Sequence, residues 1–339
     1  MDVAGKRVTV LGLGRFGGGV GVAKWLCSQG ARVTVSDQAP AEKLAESVAA
    51  LAGLDITLHL GGQQSDDFTT PDLLVVSPAV PPQAEPIRLA AAAKVPRTTE
   101  INLFIVRCPA AIVGITGSVG KSTTTAMTGQ VLASKLPTHV GGNIGRSLLS
   151  ELGQIRPDHA VVLELSSFQL DELPEIGISP HVALVTNLLP NHLDRHGTME
   201  AYGQAKKNIF RFQRPGDVLV LSAADELTRN WAREAAAGDQ CFQVGKLGTD
   251  ARPKINDATA TCGAIAVSVT CSKRNQFHAS SNCSLLALWL VAGGPPDVLR
   301  HYPTGFARPT ACRTRWLRTP RSTSAQFPAA FDPLHRRPI

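Results

Sequence analysis

The sequence predicts an α/β protein: an amino-terminal Rossmann-like domain followed by a P-loop-type domain built on a second parallel sheet. Three observations predict it. The run Gly12-Leu13-Gly14-Arg15-Phe16-Gly17 lies between a short apolar strand and a helical stretch. A second glycine turn, Gly114-Ile115-Thr116-Gly117-Ser118-Val119-Gly120-Lys121-Ser122-Thr123, repeats that order. Apolar runs of strand length alternate with helix-compatible runs, the pattern of parallel sheets covered on both faces.

The first unit reads as strand Lys6 to Leu11, the glycine turn, helix Val20 to Gln29 and strand Ala31 to Ser36, ending at Asp37. This is a βαβ unit with G-x-G-x-x-G and an acidic residue about 20 positions on, a dinucleotide-type fingerprint. The turn fits a nicotinamide or a uridine nucleotide, and Asp37 can accept bonds from a ribose or base. Strand Asp72 to Ser77 and helix Glu85 to Lys94 follow, and Arg107-Cys108-Pro109 separates this unit from the next.

The second glycine turn wraps backbone N–H groups around phosphate oxygens at a helix N-terminus. Lys121 can reach terminal phosphates, and the Ser122 hydroxyl can ligate magnesium. The strict G-x-x-x-x-G-K-S spacing would need glycine at 115, where Ile115 stands, so the loop is a variant. It still points to a nucleoside triphosphate. A helix is expected over Thr124 to Leu136. Strands His159 to Leu165, Val182 to Thr186 and Asp217 to Leu221, with helix Met199 to Phe212, complete the unit.

Parallel strands deliver residues at their carboxyl ends to one sheet edge. Glu164 would there sit beside the phosphate loop and ligate magnesium with Ser122. His192 follows the next strand and can hold a metal or orient a reacting group. Lys206 would face the same space from a helix, and Asn143 stands in the turn Gly141-Gly142-Asn143-Ile144-Gly145.

Composition excludes several classes. The net charge of +7 is not spread along the chain. Residues 1–270 hold 24 Lys+Arg and 25 Asp+Glu, a balance of −1, and residues 271–339 hold 10 and 2, a balance of +8. A specific nucleic-acid surface is therefore not expected. No apolar run is long enough to span a membrane, no secretory leader is visible, and the seven cysteines show no metal spacing. A cytoplasmic location is expected. After Lys273 the chain turns basic and proline-rich, with eight prolines and eight arginines between Pro295 and Ile339. That stretch does not look able to bury a core.

The joint order of GLGRFG, SPAVP, EINLF, GITGSVGKST, GGNIG, ELSSFQL, HLDRHG and YGQAK resembles the Mur ligases of peptidoglycan synthesis, from Lys6 to about Gly248. ELSSFQL with HLDRHG favours the D-glutamate-adding member. The resemblance implies a monomer with a UDP-sugar domain over residues 1–107, a central ATP-binding domain over 108–272 and a carboxy-terminal Rossmann-like domain that is not recognisable here. It implies ATP-dependent amide formation between UDP-N-acetylmuramoyl-L-alanine and D-glutamate, with two magnesium ions. Gly117, Ser118, Gly120, Lys121, Ser122 and Thr123 would hold ATP. Gly14, Arg15, Phe16, Gly17, Asp37, Ser77 and Asn143 would hold the UDP-sugar substrate. Ser122, Glu164, His192 and a carbamylated Lys206 would hold the metals, and Lys121, His192 and Lys206 would serve catalysis. A nicotinamide oxidoreductase, a folate polyglutamate ligase and a noncatalytic homologue are the competing readings.

The chain departs from that pattern in places. Val119 stands for an asparagine of the loop, Asn191 for an aspartate before the histidine, Ala79 for a glycine and Ala224 for an acidic residue. The H-N-x-x-N and D-S-K-x-T-N segments are not found. A reading-frame shift near codon 274 is expected to have produced residues 273–339.

Overall fold

Short β-branched runs flanked by glycine turns form the strands, and in both principal sheets the central strands are buried on both faces, as parallel pairing demands. The structure, a computed structural model, describes residues 2–14, 18–144, 147–222, 225–234, 240–244, 269–271 and 312–314, the last three segments as backbone. The chain divides into two compact units. One comprises Met1–Cys108, Gly141–Ile155 and Leu165–Ile178; the other comprises Pro109–Val140, Arg156–Glu164 and Ser179–Ile339.

The first unit carries β1 (Arg7–Leu11), β2 (Arg32–Asp37), β3 (Ile56–Leu60), β4 (Leu73–Val76) and β5 (Arg97–Thr98), ordered β3-β2-β1-β4-β5. All four pairings are parallel, with Val8 opposite both Val33 and Leu73. Helix Gly18–Ser28 buries Val22, Ala23, Trp25 and Leu26. Leu11, Phe68, Leu74, Val76, Ile87 and Ala90 form one core cluster. The strand order reverses between β1 and β4, where open parallel sheets bind ligands beyond their carboxyl ends.

The two later returns to this unit have a packing cause. The turn Leu149–Gln154 lies against helices Gly18–Ser28 and Glu100–Arg107, and buries Leu148 and Leu149. The second return is tied down by Asn102, whose Nδ2 donates to Glu172 O at 2.7 Å, and by Arg97, paired with Glu172 and Glu175.

The second unit's sheet is ordered β11-β10-β9-β6-β8-β7, with β6 (Ala111–Thr116), β7 (Thr138–Gly142), β8 (Ala160–Glu164), β9 (Val182–Val185), β10 (Val218–Ser222) and β11 (Gln240–Val244). β6 pairs in parallel with both β8 and β9. Its core cluster joins Val113, Ile115, Leu132, Ala160, Val162, Val182, Leu184, Val218 and Val220. Two parallel-sheet α/β units are thus present, the fold class the sequence predicts. The helix expected from Thr124 runs from Lys121 to Ala133. Gly120, at φ 87°, turns the chain directly into it. No helix among the described residues is long and apolar enough to cross a membrane.

β12 (Val269–Cys271) pairs antiparallel with β13 (Cys312–Thr314). β13 falls in the stretch read as irregular; the rest of residues 273–339 lies outside the described residues.

Candidate functional site

In the first unit, two glycines with positive φ let β1 turn sharply: Gly12 at +91° and Gly14 at +67°. A Cβ on Gly12 would stand 2.9 Å from Ser77 Cβ, so only glycine admits this approach of the β1 and β4 ends. The Ser77 N–H bonds Leu11 O at 2.9 Å. Asp37, at the end of β2, organises the turn. Its Oδ2 accepts the N–H groups of Leu13 (2.8 Å) and Gly14 (3.3 Å), and its Oδ1 accepts that of Ala39 (2.8 Å). A carboxylate has about four acceptor positions, so roughly one remains for a ligand. Ser47 Oγ donates to Gly14 O at 2.8 Å. Asn143 is exposed in the turn after β7. Arg15, Phe16 and Gly17 lie outside the described residues, as does Ala224.

In the second unit, the glycine loop leaves the carboxyl end of β6 and enters a thirteen-residue helix at Lys121. The first-turn N–H groups of such a helix have no intrahelical acceptor and attract anions. Ser122 and Thr123 are exposed on that turn, and Ser118 is buried behind it. Lys121 Nζ folds back over the loop and donates to Gly117 O (3.0 Å) and Ser118 O (3.2 Å). Lys206, 1 % exposed, reaches the same carbonyl from helix Met199–Arg211: its Nζ donates to Gly117 O at 3.0 Å and Thr116 Oγ1 at 3.3 Å.

Glu164 ends β8, pairs in register with Ile115 of β6 and is 2 % exposed. Its charge acts on Lys121. Burial pushes the Lys121 ammonium below the ordinary lysine pKa, and the Glu164 carboxylate opposes that shift.

His192 takes a left-handed conformation, φ 52°, and is exposed. Its N–H bonds Asn191 Oδ1 at 2.9 Å, so the amide that replaces an expected carboxylate shapes this turn. The His192 ring meets the Tyr202 ring edge-on at 6.4 Å. His196 lies 5.2 Å from the same ring, and Lys206 Nζ stands 4.7 Å above it. Burial lowers the His196 pKa, helped by the charges of His192, Lys206 and Arg195 and opposed by Asp194. Burial raises the Tyr202 pKa against its bond to Ser118.

Lys121, Glu164, Lys206 and His192 therefore gather at the carboxyl ends of one sheet, around Gly117 and Tyr202. Sequence reasoning gave no role to Thr116, Thr186, Asn187 or the Tyr202 hydroxyl. Thr116 and Tyr202 stood inside quoted motifs, and only three-dimensional contact shows what they touch. The Glu164 carboxylate and Ser122 hydroxyl are the hard oxygen donors that magnesium takes alongside phosphate oxygens and water. No group of three or more His, Cys, Asp or Glu among the described residues could hold a metal. With phosphate oxygens and water beside them, the Glu164 and Ser122 oxygens would fit magnesium. Lys206, a hydrogen-bond donor here, has no lone pair for a metal as an ammonium.

Known proteins resemble the chain across both units. Residues 6–98 match the model of the Mur ligase MurD-like amino-terminal domain, and residues 115–280 match that of the Mur ligase middle domain. A UDP-N-acetylmuramoylalanine–D-glutamate ligase of Roseiflexus sp. (strain RS-1) is 47 % identical over 233 residues, covering 68 % of this chain and 50 % of the relative. One from Symbiobacterium thermophilum is 42 % identical over 231 residues, with the same coverage, 68 % and 50 %. The chain spans about half the length of the curated relatives it matches. Among solved structures, the UDP-N-acetylmuramate-alanine ligase MurC of Thermotoga maritima aligns with a TM-score of 0.53 at 23 % identity, over 85 % of this chain and 65 % of that one. That likeness shows the fold. With both domain models in sequence order, and relatives above 40 % identity across them, the chain belongs to the Mur ligase family.

Proposed function

We propose that the chain carries the UDP-sugar and ATP domains of a ligase that joins D-glutamate to UDP-N-acetylmuramoyl-L-alanine. The proposed setting is the cytoplasm, with the chain as a monomer. The L-alanyl carboxylate attacks the γ-phosphorus of ATP and ADP leaves, giving an acyl phosphate. The free amine of D-glutamate then attacks the acyl carbon, phosphate departs, and the nitrogen loses a proton. The names of the relatives support this substrate pair.

The observation that carries the reading is the convergence of Lys121 and Lys206 on Gly117 O, beside Glu164 and a helix N-terminus. Two anions must meet for the first step, and the half-buried Lys121 ammonium with a helix N-terminus offsets their repulsion. Lys121 holds the terminal phosphates with the loop Gly117–Thr123. Ser122 and Glu164 hold one magnesium ion, and His192 with carbamylated Lys206 holds a second. Bound magnesium would supply charge neutralisation between the phosphates and the attacking carboxylate. Carbamylation would turn Lys206 from a donor into an anion. Gly14, Arg15, Phe16, Gly17, Asp37 and Ser77 hold the uridine nucleotide, and Asn143 contacts the acyl substrate.

The test is phosphate release from MgATP in the presence of UDP-N-acetylmuramoyl-L-alanine, with and without D-glutamate. Release that requires D-glutamate supports the ligase. A second reading is a homologue that binds both nucleotides without turnover. Binding of both substrates with no D-glutamate-dependent release would select it.

A further inference from the structure

The segment that follows β9 is interlocked with the phosphate loop. The Asn187 side chain, half-buried, is the centre of that lock. Its Oδ1 accepts the N–H groups of Ser118 (3.2 Å) and Val119 (3.0 Å), and its Nδ2 donates to Val119 O (2.9 Å). Two donors and one acceptor facing the amide fix which way it points. Thr186 Oγ1 adds a second bond to Val119 O at 2.8 Å. Ser118 Oγ completes the contact: it donates to Leu189 O (2.8 Å), accepts the Leu189 N–H (2.9 Å) and lies 3.1 Å from the Tyr202 hydroxyl.

We propose that Asn187 is a positioning residue of the phosphate loop, whose carboxamide pins Ser118 and Val119 and thereby aims the N–H groups of Gly120 to Thr123 at a nucleotide's terminal phosphates. The inference rests on the nucleotide-binding reading of this loop. The physical reason is local. Val119, 41 % exposed, brings no polar side chain to its own turn. Its peptide is oriented from outside, by Asn187 and Thr186. With the N–H groups of Ser118 and Val119 taken by Asn187, the donors left for an anion are those at the start of the helix, next to Lys121. A peptide plane released at Val119 is free to rotate, and each wrong orientation moves the Gly120 N–H off the phosphate. The same lock ties the loop to the segment that leads to His192, so the two halves of the site keep one spacing.

The test measures MgATP affinity of the full chain by displacement of a fluorescent nucleotide, for wild type, Asn187→Ala and Asn187→Asp, together with Tm. Asn187→Asp keeps the size and the acceptors and loses the donor to Val119 O. Val220→Ala, a fully buried core change in the same unit, is the control for stability alone. The expected result is at least a tenfold loss of MgATP affinity in both Asn187 variants, with Val220→Ala within twofold of wild type at a similar fall in Tm. Tripolyphosphate competition should weaken in parallel. Either Asn187 variant binding MgATP as wild type does, or Val220→Ala losing as much affinity, overturns the inference. If Asn187→Ala does not fold, Asn187→Asp decides alone. A wild-type chain that binds no MgATP overturns the nucleotide reading, and this inference with it.

Discussion

Gly117→Ala is the sharpest single perturbation of the phosphate loop. Gly117 sits at φ +145°, a conformation that L-residues rarely adopt. A Cβ there would overlap the Thr186 hydroxyl oxygen and stand 3.1 Å from Thr186 Cβ and 3.2 Å from Asn187 N. Backbone strain of this kind costs ~1–3 kcal/mol, and the overlap, as overpacking, a further ~1–3 kcal/mol, together ~2–6 kcal/mol. Thr186→Ala removes the overlapping oxygen and gives up one hydrogen bond to Val119 O, about 1 kcal/mol. The double variant should therefore be less destabilised than the sum of the singles by roughly 1–3 kcal/mol, while the strain at φ persists. Urea unfolding followed by circular dichroism, with linear extrapolation, measures all four corners of the cycle. Additive losses, or a Gly117→Ala variant as stable as wild type, would refute the packing argument.

Asp37→Asn keeps the size of the side chain and replaces one acceptor with a donor facing backbone N–H groups. It should weaken UDP binding at least fivefold in an equilibrium titration and leave MgATP affinity unchanged. Glu100 accepts a 2.7 Å bond from Ser147 Oγ, and burial holds its pKa above the ordinary 4.5. A raised carboxyl pKa contributes stability below the unfolded value, and that contribution is lost as pH rises through the folded one. Glu100→Gln, which keeps the acceptor, should raise Tm at neutral pH and flatten its decline above pH 4.5; thermal scans from pH 4 to 8 would show it. Lys121 has the opposite sense. Burial lowers its pKa below 10.5, so stability gains as pH rises toward the unfolded value. MgATP affinity, which needs the ammonium, should fall over the same alkaline window, and an affinity flat up to pH 10.5 would contradict that.

Much of the fold could be read along the chain because its central strands are continuous apolar runs. Ala160–Glu164 and Val182–Val185 are buried throughout, and each lies within two residues of its expected ends. β3 and β7 escaped because they are sheet edges: Ile56–Leu60 is half-exposed and Thr138–Gly142 is polar and glycine-rich. β5 spans two residues, too few for any period. Helix Glu100–Arg107 was visible only as the EINLF motif; Thr99 caps it by accepting the Asn102 N–H. In the site, spacing pointed to Lys121, Glu164, His192 and Lys206 because each follows a strand or lies on an amphipathic helix. It could not reveal that Asp37 shapes a glycine turn 23–24 residues earlier, or that Asn187 grips a loop 68 residues earlier. Such bonds depend on which strand ends adjoin, and sheet order is not written in local periodicity. The returns of residues 141–155 and 165–178 to the first unit are equally long-range.

The central claim is that the loop at the end of β6 holds a nucleotide's terminal phosphates through Lys121. Isothermal titration of MgATP into the full chain, wild type beside Lys121→Met, tests it most directly. A lost charge-assisted bond of ~1.5–3 kcal/mol predicts roughly a 10- to 100-fold weaker affinity in the variant, with UDP binding unchanged. Equal MgATP affinity in a folded Lys121→Met chain would contradict the account.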